Sequence, residues 1–416
     1  MPARVPDLTL EPVRLSARLD ALPAASVLRR LRDGTRPVYL VGGAVRDLAL
    51  DRTPAELDLL VEDDADGLAR ALAGGVAGAV RVFPRFGTAT VTVAGRTYDI
   101  ARARTERYPA PGALPEVTPA RAQEDLRRRD FTVNAIALGI GGPSRDRLLS
   151  VPGAAQDLAA GRLRVLHADS FRDDPTRLLR LARYAARLEF SVEPATRELA
   201  LAAAAQGALD TVSGTRIGAE LVLLAGEPDP VTALGLLQAL GAGDALAPGF
   251  GIGDPDGARR GLALLPAPAD RAAAVLGAAL LGVPAAARGP LLDRLGLAAG
   301  RRHAIGAIAA GAPELARALS GARTPSQIAA AVGRAPPEAV ALAGGLDRQA
   351  EPAARAWLQE LRHVTLSITG NDLIAAGVPA GPAIGAGLAA ARAAVMDGRA
   401  MGREAELSVA LRAALA

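Results

Sequence analysis

The chain changes character near residue 150, and that change limits the folds open to it. Before it, β signals recur: VYLVGG (38–43), ELDLLV (56–61), AVRVFPR (79–85), TATVTVAG (88–95), RTYDIARAR (96–104) and FTVNAIALGI (131–140). TATVTV alternates with period two, the pattern of a half-buried strand, and Gly95-Arg96 reads as the hairpin turn into TYDI. Helical stretches fall between, at 43–50 and 64–73, and residues 1–36 read as an arm and a helix with Leu15, Leu19, Leu22 and Leu28 roughly in phase. Past 150 the strand signals nearly vanish. Leu, Ala and Arg recur at helical spacing through 177–190, from Arg197 onward, and through 219–240, 258–282, 290–320 and 325–345, punctuated by Gly and Pro. The stretch 241–257 reads as a linker or loop, and 363–385 as another break. The expected fold is an α+β head followed by an all-α remainder, with no fixed-period repeat.

Composition removes several chemistries. Without cysteine there is no disulfide, no thiolate zinc cage and no thiol nucleophile. Three scattered histidines, His167, His303 and His363, argue against a histidine metal cluster and a Ser-His-Asp triad. There is no lysine, so all 48 basic residues are arginine, which excludes a lysine Schiff base and a Walker P-loop. Arginine pairs bidentately with phosphate and suits nucleic acid. A GC-rich genome is an alternative source of the same bias, and a net charge of +4 over 416 residues does not decide between them. The N-terminus has no apolar run of signal-peptide length, and the Ala/Leu-rich stretches 199–209 and 271–288 are broken by Gln206, Gly277, Gly282 and Pro284. A cytoplasmic setting away from membranes is expected.

Four segments carry chemistry. In YLVGGAVRD (39–47) a buried strand runs through Gly42-Gly43 into a helix, a turn that lets backbone approach a phosphate; alone, it is also what any tight turn looks like. Glu56 and Asp58 are two apart in a strand-like run, so both carboxylates face one side, about 6–7 Å apart. Hard oxygens so placed suit magnesium on a nucleotide, although spacing alone favours a solvated strand face. Asp99 in TYDI is a candidate third carboxylate. In RRDFTVNA (128–135), Arg129, Asp130 and Asn134 precede or begin a strand-like segment and can hold phosphate and ribose. In DDPTRLLR (173–180), the acids sit before or in a first helical turn, and Asp174, Arg177 and Arg180 are spaced three apart on one face. An N-capped helix with a structural salt bridge is the alternative there.

Together, GGAVRD, the Glu-x-Asp pair, RRDFTVNA and DDPTRLLR occur in the order found in the eubacterial-type (class II) tRNA nucleotidyltransferase and poly(A) polymerase family. Residues 108–138 are especially similar to its CCA-adding and A-adding members. VPGAAQDLAAGRLRVLH (151–167) resembles the family's head-to-neck segment, TVSGTRIGAEL (211–221) its body helix and ITGNDLIAAGVPAGPAIG (368–385) its C-terminal segment. The resemblance spans most of 37–240 and again 364–415.

The resemblance implies a polymerase-β-like nucleotidyltransferase head with an all-α neck, body and tail. The implied boundaries are an N-terminal arm over 1–36, the head over 37–148, a base-selecting neck over 149–210, a body over 211–345 and a tRNA-binding tail over 346–416. It implies template-independent transfer of CMP and AMP from CTP and ATP to the 3′ end of tRNA. Glu56 and Asp58 would hold Mg²⁺, and Asp99 would assist the attacking hydroxyl. Gly42, Gly43 and Arg46 would line the triphosphate, and Arg129, Asp130 and Asn134 would grip phosphate and ribose. Asp174 and Arg177, with Arg180 on the same face, would read the base. Helical-domain arginines would contact the acceptor stem and elbow of tRNA by shape. No protein partner can be inferred.

Three positions depart from the family pattern. Glu56 stands where an aspartate is usual, Ser150 where relatives often carry aspartate, and Asp173 where glutamate is commoner. No His-Asp pair supports the phosphohydrolase domain of some relatives. Addition of A alone, of CC alone or of a poly(A) tail is the alternative within the family. A non-catalytic RNA-binding paralogue with a degraded metal site is the alternative of another functional class.

Overall fold

The computed structural model describes residues 10–74, 79–84 and 87–416. The first nine residues of the expected arm, and Arg85 at the end of AVRVFPR, lie outside them. The chain forms two compact units, one of residues up to 213 with 240–245 and one of residues 214–239 with 246–416.

The first unit is built on a seven-stranded sheet. Its strands and those beside it are β1 (Val38–Val41), β2 (Leu59–Val61), β3 (Val80–Phe83), β4 (Thr88–Val93), β5 (Arg96–Arg102), β6 (Arg104–Arg107), β7 (Glu116–Pro119), β8 (Ile136–Gly141), β9 (Leu148–Ser150), β10 (Arg162–Leu163) and β11 (Ser191–Val192). The sheet order is β3-β4-β5-β2-β1-β8-β9, while β6–β7 and β10–β11 form separate pairs. Among the described residues, only β2 and β5 pair in parallel within the sheet. The central strands are apolar on both faces, and Leu40, Leu60, Val61, Ile100 and Leu138 are fully buried. The helices are α1 (Pro12–Ala21), α2 (Gly43–Ala49), α3 (Ala65–Ala73), α4 (Ala122–Asp125), α5 (Ala154–Ala159), α6 (Ser170–Asp173) and α7 (Thr176–Leu188), followed in this unit by Pro194–Ala205 and by all but the last residue of Ala242–Leu246. In α3, Asp64 accepts the Gly67 N–H at 2.8 Å to start the helix, and Gly74 at φ +59° ends it. Between those ends Leu68, Ala69, Leu72 and Ala73 form the buried face.

Several expected elements shift. The β4–β5 turn is Ala94-Gly95, with φ +52° and +73°, so Arg96 is already in the strand and pairs with Val93. Both turn residues have positive φ, which suits the twist of the two strands. The helix of the arm ends at Ala21, and Leu28 is buried from a following 3₁₀ turn. FTVNAIALGI is a 3₁₀ turn over Thr132–Asn134 before β8 begins at Ile136. Residues 242–246 are helical within the expected linker.

The second unit is all helix. Its long expected runs divide where Gly and Pro interrupt them: 219–240 parts between Ala225 and Pro230, 258–282 between Leu264 and Arg271, 290–320 between Arg294 and Ala299, and 325–345 between Val332 and Pro337. Asp254 and Asp270 cap helices by accepting the Gly257 and Ala273 N–H groups at 2.9 and 3.0 Å. Two small cores form, one around Leu315, Leu319, Val340 and Leu358, the other around Ile368, Leu373, Val378 and Ala391. Among the described residues no helix is long and apolar enough to cross a membrane.

Candidate active site

The parallel pairing of β2 with β5 sets Leu59 beside Ile100. The residues just before that pair are Asp58 and Asp99, which therefore stand side by side. Glu56-Leu57-Asp58 is not itself part of β2, but runs extended into it, with the Asp58 carbonyl accepting the Val41 N–H at 3.0 Å. Leu57 is buried while Glu56 is exposed, so the alternation read in the sequence survives outside the strand. Asp58 lines a cavity of about 500 Å³ with Asp99, Thr90, Phe83 and Arg129. Burial, then the charges of Glu56 and Asp99, push the Asp58 carboxyl up to about 6 against the pull of Arg129. Thr90 lies opposite Asp99 on β4 and donates its hydroxyl to Asp99 Oδ1 at 2.6 Å.

A cation beside Asp58 would relieve this crowding of carboxylates, and the donors are the hard oxygens that a divalent ion prefers. As arranged, no three carboxylates or histidines among the described residues converge on one point. The fit to a divalent ion therefore rests on Glu56 and Asp58, with Asp99 held aside by Thr90.

A second cluster sits behind the glycine turn. Gly42 has φ +68° and ψ −131°, open to glycine alone, and a Cβ there would stand 2.8 Å from an Arg129 guanidinium nitrogen. Arg129 donates to Asp125 at 3.1 Å, and burial lowers its pKa. Its buried Nε has no hydrogen-bond partner among the described residues. Arg46, 2% exposed, donates to Asn134 Oδ1 at 2.6 Å and to Asp47 at 2.8 Å. Asn134 in turn donates to Asp130 at 3.0 Å, and Arg180 donates to Asp130 Oδ2 at 3.0 and 2.6 Å. Burial works to raise the Asp130 pKa, but Arg180 and the hydrogen bond from Asn134 outweigh it and hold the carboxyl at about 2.

Asp174 stands just before α7, off the helix that carries Arg177 and Arg180. It accepts from the Thr176 N–H at 3.1 Å and the Thr176 hydroxyl at 2.6 Å. Arg177, 4% exposed, donates to Ser170 Oγ at 2.6 Å and to the Arg128 carbonyl at 2.9 Å. The Arg128 side chain is itself clamped by Asp125 and Glu106.

All twelve residues singled out in the sequence thus lie within the first unit, in three adjoining clusters. Sequence reasoning missed Thr90, Asp125 and Glu106. The signal for Thr90 was present, since the alternation of TATVTV places it on the face opposite Ala89 and Val91.

A mixed sheet that presents carboxylates at one end, with a glycine turn and buried arginines beside them, is the arrangement of a nucleotidyltransferase. Residues 38–164 match the poly(A) polymerase head domain. The chain is 36% identical over 353 residues to the CC-adding tRNA nucleotidyltransferase of Deinococcus radiodurans, covering 84% of this chain and 82% of that one. It is 41% identical over 212 residues to the A-adding tRNA nucleotidyltransferase of Halalkalibacterium halodurans, covering half of each. The Thermotoga maritima CCA-adding enzyme complexed with tRNA has the same fold, at a TM-score of 0.77 and 26% identity over 96% of this chain and 98% of that one. The chain belongs to the class II tRNA nucleotidyltransferase and poly(A) polymerase family.

Proposed function

We propose that the protein adds CMP and AMP from CTP and ATP to the 3′ end of tRNA without a template, completing or repairing the CCA end in the cytoplasm. The observation that carries this reading is Asp58 beside Asp99 in one cavity with Arg129, next to the Gly42 turn. Phosphoryl transfer asks a protein chiefly for positioning and charge neutralisation. Glu56 and Asp58 would hold a divalent ion, which we assign as Mg²⁺ and which would supply Lewis-acid activation for nucleotidyl transfer when bound. Asp99 orients the hydroxyl, itself fixed by Thr90. Arg46 and Arg129 face the triphosphate behind Gly42 and Gly43, and Asp130 and Asn134 hold the ribose.

Asp174 and Arg177, with Arg180 on their flank, read the base. Cytosine and adenine each offer an exocyclic amine beside a ring acceptor, which a carboxylate and a guanidinium match. Uracil sets a carbonyl against the carboxylate, and a site built for hydrogen bonding rejects such a mismatch strongly. Residues 1–36, 37–148, 149–210, 211–345 and 346–416 then serve as arm, head, neck, body and tail, with the helical parts gripping the acceptor stem and elbow.

A second reading is addition of CC alone. It is favoured by the match to the CC-adding relative over 84% of this chain, where the A-adding relative matches half. One experiment separates the two. Three tRNAs ending before CCA, after C and after CC are incubated with Mg²⁺ and each labelled nucleotide, with Asp58→Ala as control. Two C additions and then one A support the full activity. C additions that stop at CC support the second reading. No incorporation, with tRNA binding retained, overturns both and leaves an RNA-binding paralogue.

A further inference from the structure

The ring of Tyr184 on α7 has three guanidinium groups around it. The central carbons of Arg183, Arg46 and Arg180 lie 4.8, 5.5 and 5.7 Å from its centroid. Phe131 meets the same ring edge-on, at 6.0 Å and 85°. Arg180 and Arg183 reach it from α7 itself, four and one residues earlier, whereas Arg46 comes from α2 behind the glycine turn. Arg46 and Arg183 are 2% and 6% exposed, so like charges are gathered where water screens them poorly. An aromatic face attracts cations through its quadrupole, and that attraction strengthens on desolvation.

The gathered groups are not idle. Arg46, itself assigned to the triphosphate, holds Asn134, and Arg180 holds Asp130, the two residues assigned to the ribose. We propose that Tyr184 is a positioning residue for the anionic part of the nucleotide: its ring gathers Arg46, Arg180 and Arg183 into one cationic platform. The proposal rests on the nucleotidyltransferase reading of the site. It assigns the work to the ring face, so the phenol hydroxyl is dispensable.

The test is steady-state kinetics together with calorimetric binding of inorganic tripolyphosphate to the tRNA-free protein. Tyr184→Leu is expected to raise KM for CTP and ATP alike by about tenfold, with kcat and KM for tRNA held within about twofold. Discrimination between CTP and UTP changes far less than KM, because Asp174 and Arg177 keep their contacts to Thr176, Ser170 and Arg128 and only Arg180 on their flank is loosened. Tripolyphosphate binding weakens in parallel, and Tyr184→Phe restores both. Should leucine unfold the protein, phenylalanines of increasing fluorination at position 184 keep the shape while draining the ring face. Nucleotide KM should then climb with each fluorine. Unchanged KM and tripolyphosphate affinity across either series overturns the proposal, as does an equal loss of tRNA binding and fold. Tripolyphosphate binding that follows the ring in a protein incorporating no nucleotide supports the platform while refuting the catalytic reading.

Discussion

The two units differ in how many polar side chains they bury. Of the fourteen polar or charged side chains that are buried among the described residues, twelve lie in the first unit, and only Glu227 and Glu406 in the second. The first unit buries Arg46, Asp125, Asp130, Asn134 and Arg177 in connected hydrogen bonds. The second packs small residues until backbones touch. A Cβ on Gly345 would stand 2.3 Å from the Gly257 carbonyl, and one on Gly344 would stand 2.6 Å from the Ala354 Cβ. Desolvating a charge costs free energy that a paired arrangement only partly returns. A chain spreads such cost where groups must be held at fixed positions for chemistry, and avoids it where helices need only stack.

The largest expected effect tests the chemistry of the first unit. Asp58→Asn should reduce nucleotide incorporation by roughly a thousandfold, the scale of several kcal/mol of lost transition-state stabilisation. The same substitution should stabilise the metal-free protein. A carboxyl raised from 3.8 to about 6 contributes stability that is fully present below pH 3.8 and lost as pH rises to about 6. The asparagine variant loses nothing over that range, so its advantage should grow between those values and stay constant above. Thermal unfolding across pH 3.5–8 with a chelator present checks it. An advantage that is the same at every pH would mean that neither burial nor the charges of Glu56 and Asp99 raise the Asp58 carboxyl.

Next comes the buried network. Asp130→Ala leaves Arg180 without the carboxylate that it grips at 2.6 Å, and should cost about 3–5 kcal/mol. Amide exchange should quicken around β8 and α7, while the helix Ala299–Gly321 keeps its protection. Because the Asp130 carboxyl is held at about 2, its contribution is present above pH 3.8 and lost as pH falls through 2. The variant should therefore be most inferior at neutral pH. Equal exchange changes in both units would break the contrast drawn above.

In the second unit the matching perturbation is steric. Gly345→Ala drives a methyl into the backbone of the helix Pro255–Leu264 and should cost about 1–3 kcal/mol. Gly385, where an added methyl would meet nothing within 4 Å, is the control, and alanine there should be neutral or slightly stabilising. Chemical denaturation of both variants measures the difference. A Gly345 variant as stable as the control would mean that these helices move apart freely.

Much of this was legible in the residues, for reasons that differ between the units. The β4–β5 hairpin follows from the alternation of TATVTV, but its turn was misplaced by one residue because Ala94 takes a positive φ that nothing in alanine announces. The β6–β7 ribbon escaped notice because RTER and EVTP hide their period among charges and bury almost no apolar side chain. In the second unit Ala-rich runs read as helix at once, yet their breaks blurred. A run such as PVTALGLLQA is apolar on nearly every face, so periodicity cannot say where one helix stops. Among the site residues, the types and order could be read, but not their partners. That Arg129 lies against Gly42, or that Thr90 holds Asp99, depends on strand register.

The smallest expected effect lies at Glu56, and it sharpens the contrast most. This glutamate is exposed, next to the buried Leu57 and half-buried Asp58, so its longer side chain has room to adjust. A rigid position would penalise an added methylene heavily, since catalytic geometry tolerates little displacement. Here Glu56→Asp should raise incorporation only a few-fold, roughly one kcal/mol or less. It should also lower the Mg²⁺ concentration giving half-maximal rate, with fold stability unchanged. Titrating Mg²⁺ against single-turnover rates of both forms checks this. A hundredfold gain would mean that Glu56 holds the site in a strained geometry. A loss would mean that the cavity around Asp58 has been shaped to the longer side chain, and that the exposed rim of the first unit is as exacting as its buried network.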